Sequence, residues 1–141
     1  MKNKNIKFLK HTADVKFEVK GRTLGNCFEN AALAMFKTIY HGKVKSKIKK
    51  KISVRGKDLE SLMYNFLEEL LFLFDAKDFI LSKIKIKIRE FNGEDIELKA
   101  DLIGDNLKNY EIGLVIKAVT YNSMSIKKSK VGWKAVVVLD V

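Results

Sequence analysis

The spacing of apolar residues predicts two helices. Apolar positions recur at intervals of three and four from Leu24 to Ile39, which predicts a helix with one buried stripe that runs to about Thr38. A second and stronger stripe of the same period covers residues 59–74 and must pack against a broad apolar surface. Thr23 and Asp58 precede the two stripes and are suitable N-caps, because their side-chain oxygens can accept hydrogen bonds from first-turn amides. We therefore expect a capped helix after each of these residues.

The other apolar positions follow the period of two that is typical of strands. The pattern is clearest where isoleucines alternate with basic residues, and Asn92-Gly93 then predicts a hairpin turn. The final strand is almost wholly apolar, as a central strand buried on both faces would be. A polar loop is expected over residues 123–132. The predicted strands cover residues 14–20, 43–54, 83–89, 96–102, 114–121 and 133–139.

The resulting order, β-α-β-α-β-β-β-β, predicts an α+β fold. We expect two layers, with both helices packed on one face of a mainly antiparallel sheet. The chain has 141 residues and no proline, and we find no obvious linker or internal repeat. A single domain over residues 1–141 is therefore expected.

Composition and cysteine content indicate the cellular location of the protein. The longest apolar run, residues 70–74, is far shorter than the roughly 20 residues that span a bilayer, so no membrane association is expected. No secretory signal pattern follows the basic N-terminus. The single cysteine, Cys27, excludes an intrachain disulfide and lies on the predicted first helix as a small core residue. A reducing, cytoplasmic location is expected.

The charge is strongly basic. With 28 basic and 17 acidic residues the formal net charge is +11, and six of the nine residues 43–51 are lysine. Such an excess suggests a nucleic-acid partner, although a solvated strand face has the same composition. Because only three of the basic residues are arginine, reading of base sequence is disfavoured.

No standard catalytic spacing is present, so an enzyme is not predicted. Of the two histidines, His41 follows the first helix and is expected to act as a charge at its C-terminus. His11 and Asp14 lie three residues apart just before the first strand, which by itself could be a local turn.

Asp140 stands beside the terminal carboxylate of Val141. If the last strand pairs antiparallel with the strand that starts at Asp14, three negatively charged groups converge, and a hard cation such as calcium or magnesium would relieve their repulsion. The alternative is two solvated acids at strand ends. Lys117, with Val115 and Val119 on the same predicted face, either packs its stem at an edge or points at a carboxylate.

Five stretches in the same order resemble the archease family, and they extend over essentially the whole chain. They are residues 8–15, 27–36, 58–75, 116–121 and 138–141. The resemblance implies a small α+β protein that assists an RtcB-type tRNA-splicing ligase. Such a protein promotes guanylylation of the ligase and its multiple turnover, and it meets tRNA only through the ligase. The chain is then a protein cofactor and not a catalyst.

The resemblance also implies a metal site. Asp14, Asp140 and Val141 match the residues with which the family binds a divalent ion, most often calcium, with magnesium or manganese as alternatives. His11 and Lys117 match positions that could support this acidic corner. Asn122 stands where family members usually have histidine, and an asparagine cannot titrate near neutral pH.

Two other functions are consistent with the sequence. The lysines of residues 43–51 could make the chain a direct RNA-binding module. A broader role as a chaperone or modulator of nucleic-acid-processing enzymes is also suggested for the family.

Overall fold

The computed structural model describes residues 5–9, 14–91 and 93–141. This part of the chain forms an α+β fold whose elements follow the predicted order, which confirms the fold class. A short strand at the N-terminal end, not predicted, precedes the first predicted one. The helices are α1 (Leu24–Ile39) and α2 (Leu59–Lys77). The strands are β1 (Ile6–Leu9), β2 (Asp14–Gly21), β3 (Ile48–Gly56), β4 (Phe79–Phe91), β5 (Asp95–Asn106), β6 (Ala118–Ser129) and β7 (Gly132–Asp140).

Both helices begin at the predicted caps. The Thr23 hydroxyl accepts a hydrogen bond from the Asn26 amide at 3.1 Å. The Asp58 carboxylate accepts one from the Ser61 amide at 2.7 Å, and the Ser61 hydroxyl accepts one from the Asp58 amide at 3.2 Å. This reciprocal capping box satisfies amides that the first turn of α2 leaves without helical partners.

The strands divide between two antiparallel sheets, with the orders β1-β2-β7-β6 and β3-β5-β4. The structure differs here from the expected single sheet, because a period of two identifies strands but not their neighbours. Helix α1 packs on β2 and β4, and α2 packs on β3 and β6. Each helix therefore contacts both sheets, instead of lying with the other on one face of one sheet.

The core confirms two predictions about buried residues. Strand β7 lies between β2 and β6, and Val137 and Val138, which face opposite sides of it, are both 0% exposed. Cys27 is a free thiol that is also fully buried, and burial raises its pKa to about 12. Phe28 of α1 packs against Phe66 of α2 with ring centroids 6.0 Å apart.

The predicted boundaries were wrong in the last third of the chain. Strand β6 covers Ala118–Ser129 and not residues 114–121, so most of the expected polar loop belongs to a strand. Pairing with β7 is interrupted between Thr120 and Ser125, and Ser123 has a left-handed backbone, with φ of 55°. This bulge shifts the alternation of polar and apolar residues, and that shift made the segment resemble a loop.

Two smaller differences concern the ends of other strands. Strand β3 begins at Ile48, so residues 43–47 of the lysine-rich segment precede it. Gly93, with φ of 72°, lies between β4 and β5 where the hairpin turn was predicted, whereas Asn92 lies outside the described residues. Neither helix in the described part of the chain has the length and apolar content needed to cross a membrane.

Candidate metal centre

Asp14 and Asp140 are brought together by the pairing of β2 with β7. The two residues are direct antiparallel partners, and Asp140 is also the partner of Ala118 in β6. Direct partners have Cβ atoms about 4.5–5.5 Å apart and project their side chains from the same face of the sheet. Antiparallel pairing of these two strands was the condition on which the predicted convergence of Asp14 and Asp140 depended, and the register meets it.

The two carboxylates project from the outer face of this sheet. Phe17 and Val19 of β2 and Leu139 of β7 are 0% exposed and point toward the helices. Because side chains alternate along a strand, Asp14 and Asp140 point the opposite way, and both are half-buried. Each carboxylate therefore keeps partial access to solvent, although Val138, on the same face of β7 as Asp140, is 0% exposed.

Main-chain contacts hold the end of β7 in place. The Lys117 amide donates to the Asp140 carbonyl at 2.8 Å, and the Thr120 hydroxyl donates to the Val138 carbonyl at 3.0 Å. Val141 is half-buried and packs against the hydrophobic core. The position of Asp140 is consequently fixed by β2, β6 and the residue that follows it.

The chemistry of this corner fits a hard cation. Like charges placed directly opposite on neighbouring strands destabilise a sheet, and oxygen-only donors suit calcium or magnesium. Within residues 5–9, 14–91 and 93–141 no group of three or more His, Cys, Asp or Glu side chains could hold a metal ion. Asp14 and Asp140 would therefore need further oxygens, from Val141, the main chain or water.

Two further residues, His11 and Lys117, were expected to support the site. His11 lies outside the described residues. Lys117 is exposed and precedes β6, so the strand face that it was expected to share with Val115 and Val119 does not exist: Val115 is 59% exposed and Val119 only 3%. Lys117 joins the corner through its amide, and a role for its ammonium group stays a prediction.

Asn122 lies in the bulge of β6, near the same end of the sheet. Its side chain is exposed, and its main-chain N–H donates to the Thr120 hydroxyl at 3.2 Å. His41 is exposed beyond the end of α1, where it was expected.

Two tyrosines stack beside the bulge, a contact that the sequence pattern did not predict. The rings of Tyr64 on α2 and Tyr121 on β6 lie 4.3 Å apart at an angle of 7°. The charge of Glu68 raises the pKa of Tyr64. Because the partners are on different elements, no local pattern could have revealed the contact, which ties α2 to the bulge.

Fold and site together define a small α+β protein with a carboxylate pair at the paired ends of two strands. The chain belongs to the archease family. The family model described as "Archease protein family (MTH1598/TM1083)" matches residues 7–141.

Similar proteins have the same family name. "Protein archease" of Methanosarcina barkeri is 42% identical over 142 residues, which cover 98% of this chain and 97% of that protein. "Protein archease" of Pyrococcus furiosus is 38% identical over 135 residues, covering 93% and 94% of the two chains. These relatives are named as proteins and not as enzymes.

Solved structures agree with the fold. The solution structure of protein 1598 from Methanobacterium thermoautotrophicum superposes with a TM-score of 0.87 at 35% identity, covering 99% of this chain and 100% of that one. The crystal structure of an archease from Thermotoga maritima, titled "possible chaperone", has a TM-score of 0.61 at 22% identity and covers 94% of each chain. At that identity the second likeness supports the fold alone.

Proposed function

We propose that this chain is a metal-binding protein cofactor of an RtcB-type tRNA-splicing RNA ligase in the cytoplasm. It promotes guanylylation of the ligase, and so its multiple turnover, without catalysing the reaction itself. The observation that supports the proposal is the direct pairing of Asp14 with Asp140 in a member of the archease family. The buried free thiol of Cys27 is compatible with a reducing compartment.

Asp14, Asp140 and an oxygen of Val141 would hold the ion, with calcium as the first candidate and magnesium or manganese as alternatives. A bound divalent cation supplies positive charge that offsets the repulsion of the two carboxylates. The chain's own contacts orient the donors, because the amide of Lys117 and the core packing of Val141 fix both sides of Asp140. The corner can then present one defined surface to the ligase.

The experiment measures guanylylation of the ligase from the same organism. Purified ligase is incubated with labelled GTP, with or without this chain, and the ligase-bound label is counted. We expect stimulation by the wild-type protein and its loss for Asp14→Asn and Asp140→Asn. The matched control is Asp75→Asn, which neutralises an exposed aspartate on α2 and should stimulate normally.

A chelator arm tests the ion separately. Removing divalent ions from the chain before it is mixed with the ligase should abolish stimulation, and adding calcium should restore it. Normal stimulation by folded Asp14→Asn protein would contradict the role of the site. Equal stimulation of unrelated nucleic-acid enzymes would instead support a general chaperone or modulator.

A further inference from the structure

The outer face of the sheet β3-β5-β4 concentrates the positive charge of the chain. Register places twelve outward positions in four rows across the three strands, and we call them the basic face. Eight of the twelve are basic and two are acidic, a net charge of +6 out of the +11 of the whole chain. The positions are 49, 51, 53 and 55 on β3, 97, 99, 101 and 103 on β5, and 83, 85, 87 and 89 on β4.

Burial shows that this face points away from the helices. Leu98 and Ala100 of β5 and Ile86 of β4 are buried on the opposite side, at 0%, 4% and 8% exposure. Lys99 and Lys87, which alternate with them, are exposed. The basic face is therefore a solvent-facing surface of the molecule.

At one end of the basic face the positive charge is partly neutralised by an internal carboxylate. Glu97 is largely buried and pairs with Arg89 at 2.9 Å and with Arg55 at 3.5 Å. The hydrogen bond from Arg89 lowers the pKa of Glu97, so its charge persists at neutral pH. Next to this row, Lys51 and Asp101 are 3.8 Å apart, but both are exposed, and such pairs contribute little.

The centre of the basic face is left positive. Within the described residues, Lys83, Lys85, Lys87 and Lys99 form no ion pair. Lys87 is the direct cross-strand partner of Lys99, a like-charge arrangement that destabilises a sheet. A depression of ≈ 520 Å³ lies among four lysines and one acid, and these charged lining residues are Lys51, Lys85, Lys87, Lys99 and Asp101.

Protection of sheet edges explains only part of this arrangement. Lysines on edge strands hinder pairing with other chains, and β3 and β4 are the edges of this sheet. Lys99, however, lies on the central strand β5, which has no open edge. On β5 the charge of Lys99 is partly offset by Glu97, whose pKa it helps to lower. Its direct partner across the strands is nevertheless Lys87, and a bound polyanion would offset that repulsion.

We infer that the basic face binds the phosphate backbone of RNA without reading its sequence. A protein partner is disfavoured, because stable protein interfaces have apolar or aromatic anchors at their centre, and none of the twelve positions is aromatic. The absence of aromatics also disfavours base stacking, and lysine forms point-charge contacts to phosphates. Outward residues recur about every 6.8 Å along a strand, so four cations on β4 extend over about 20 Å. The choice of RNA over DNA rests on the proposed function.

The experiment measures binding of this chain alone to a fluorescein-labelled single-stranded RNA of about 20 nucleotides. Anisotropy titrations are carried out between about 50 and 200 mM salt. Five phosphate contacts, from Lys49, Lys83, Lys85, Lys87 and Lys99, give a log–log slope near −3.5, so affinity should fall about 100-fold over this range. A triple variant, in which Lys85, Lys87 and Lys99 are replaced by Gln, keeps two of the five contacts. Its slope should be near −1.4, so its affinity should fall only about 7-fold over the same salt range.

The matched control removes the same charge elsewhere. The control is a second triple variant, in which Lys108, Lys127 and Lys130 are replaced by Gln. These lysines are exposed and lie outside the basic face, so the slope of log affinity against log salt should stay near that of wild type. A second variant, Asp101→Asn, removes an acid from the face and should strengthen binding. Circular dichroism verifies that every variant is folded.

Two results would overturn the inference. The first is an equal loss of affinity in the two triple variants, since binding would then follow net charge and not the face. The second is tighter binding of polyglutamate, or of DNA of equal length, than of the RNA. Because no ligase is present, either result leaves the guanylylation test of the proposed function unaffected.

Discussion

The substitution Asp140→Asn tests the carboxylate pair independently of any partner. It removes one of two like charges while preserving the size of the side chain. The main-chain bond from the Lys117 amide to the Asp140 carbonyl is unaffected, so β7 should keep its position. Any change in stability then reports on the charge.

The expected magnitude follows from the register. With the half-buried carboxylates of Asp14 and Asp140 about 5 Å apart, Coulomb's law gives about 0.8 kcal/mol of repulsion at the dielectric constant of water and about 3 kcal/mol at an effective value near 20. Neighbouring lysines and salt offset part of this repulsion, so the metal-free variant should be more stable than metal-free wild type by about 1 kcal/mol. For 141 residues that corresponds to a rise in Tm of about 3 °C.

Calcium should reverse the order of stability, so that wild type becomes more stable than Asp140→Asn. An ion that binds only the folded state at 100 times its Kd adds about 2.7 kcal/mol, or about 9 °C in Tm, to the wild-type protein. Asp140→Asn should show almost none of this gain, because it has lost a ligand. The control Asp75→Asn should respond to calcium like wild type.

Differential scanning calorimetry with and without calcium measures both effects, and isothermal titration supplies the Kd. A full calcium-dependent shift in the Asp140→Asn variant would refute the assignment of this residue as a ligand. A metal-free variant that is less stable than wild type by more than about 1 kcal/mol would refute the repulsion argument.

Three further predictions concern the fold. Asp58→Ala removes the N-cap of α2 and should cost about 1 kcal/mol in urea unfolding. Because hydrogen bonds from Ser61 lower the pKa of Asp58, this difference should be complete above about pH 5 and disappear as the pH falls through the lowered value. Gly104→Ala places a Cβ against the Ile80 carbonyl more closely than real Cβ atoms approach, so it should destabilise by several kcal/mol, whereas Gly113→Ala, whose nearest neighbour is 3.7 Å away, should be tolerated. Cys27, whose thiol has its pKa raised to about 12, should react with Ellman's reagent only after the protein is unfolded.

A specific result would contradict each of these three predictions. An Asp58→Ala penalty that is the same at pH 2.5 and pH 7 would show that the charged carboxylate is not what caps α2. Equal stability of the two glycine variants would remove the argument from close approach of β5 to β4. Rapid labelling of native Cys27 would mean that the helix around it opens readily.

Local features of the chain were read correctly from the sequence. Both helices begin at the predicted caps, because capping and a period of 3.6 involve residues only a few positions apart. The unbroken apolar run of β7 likewise indicated a strand covered on both faces. The strand that contains residues 83–89 was identified, although it extends to Phe79–Phe91.

Part of the candidate site was also predictable. Strands over residues 14–20 and 133–139 were both predicted, and the convergence of Asp14 with Asp140 followed on the condition that the two pair antiparallel. The observed register meets that condition. The bulge in β6 was not predictable, because it reverses the alternation on which strand prediction depends. That is why Lys117 was assigned to a strand in which it does not lie.

Sequence alone therefore determined both helices, their caps and most of the strands, since these depend on neighbours along the chain, but it missed β1 and the bulged β6. Tertiary structure decided which strands lie side by side, because pairing joins residues that are far apart in sequence. That choice separated the strands into two sheets and placed Lys99 of β5 beside Lys87 of β4. The basic face exists only through this pairing, and no count of lysines could have located it.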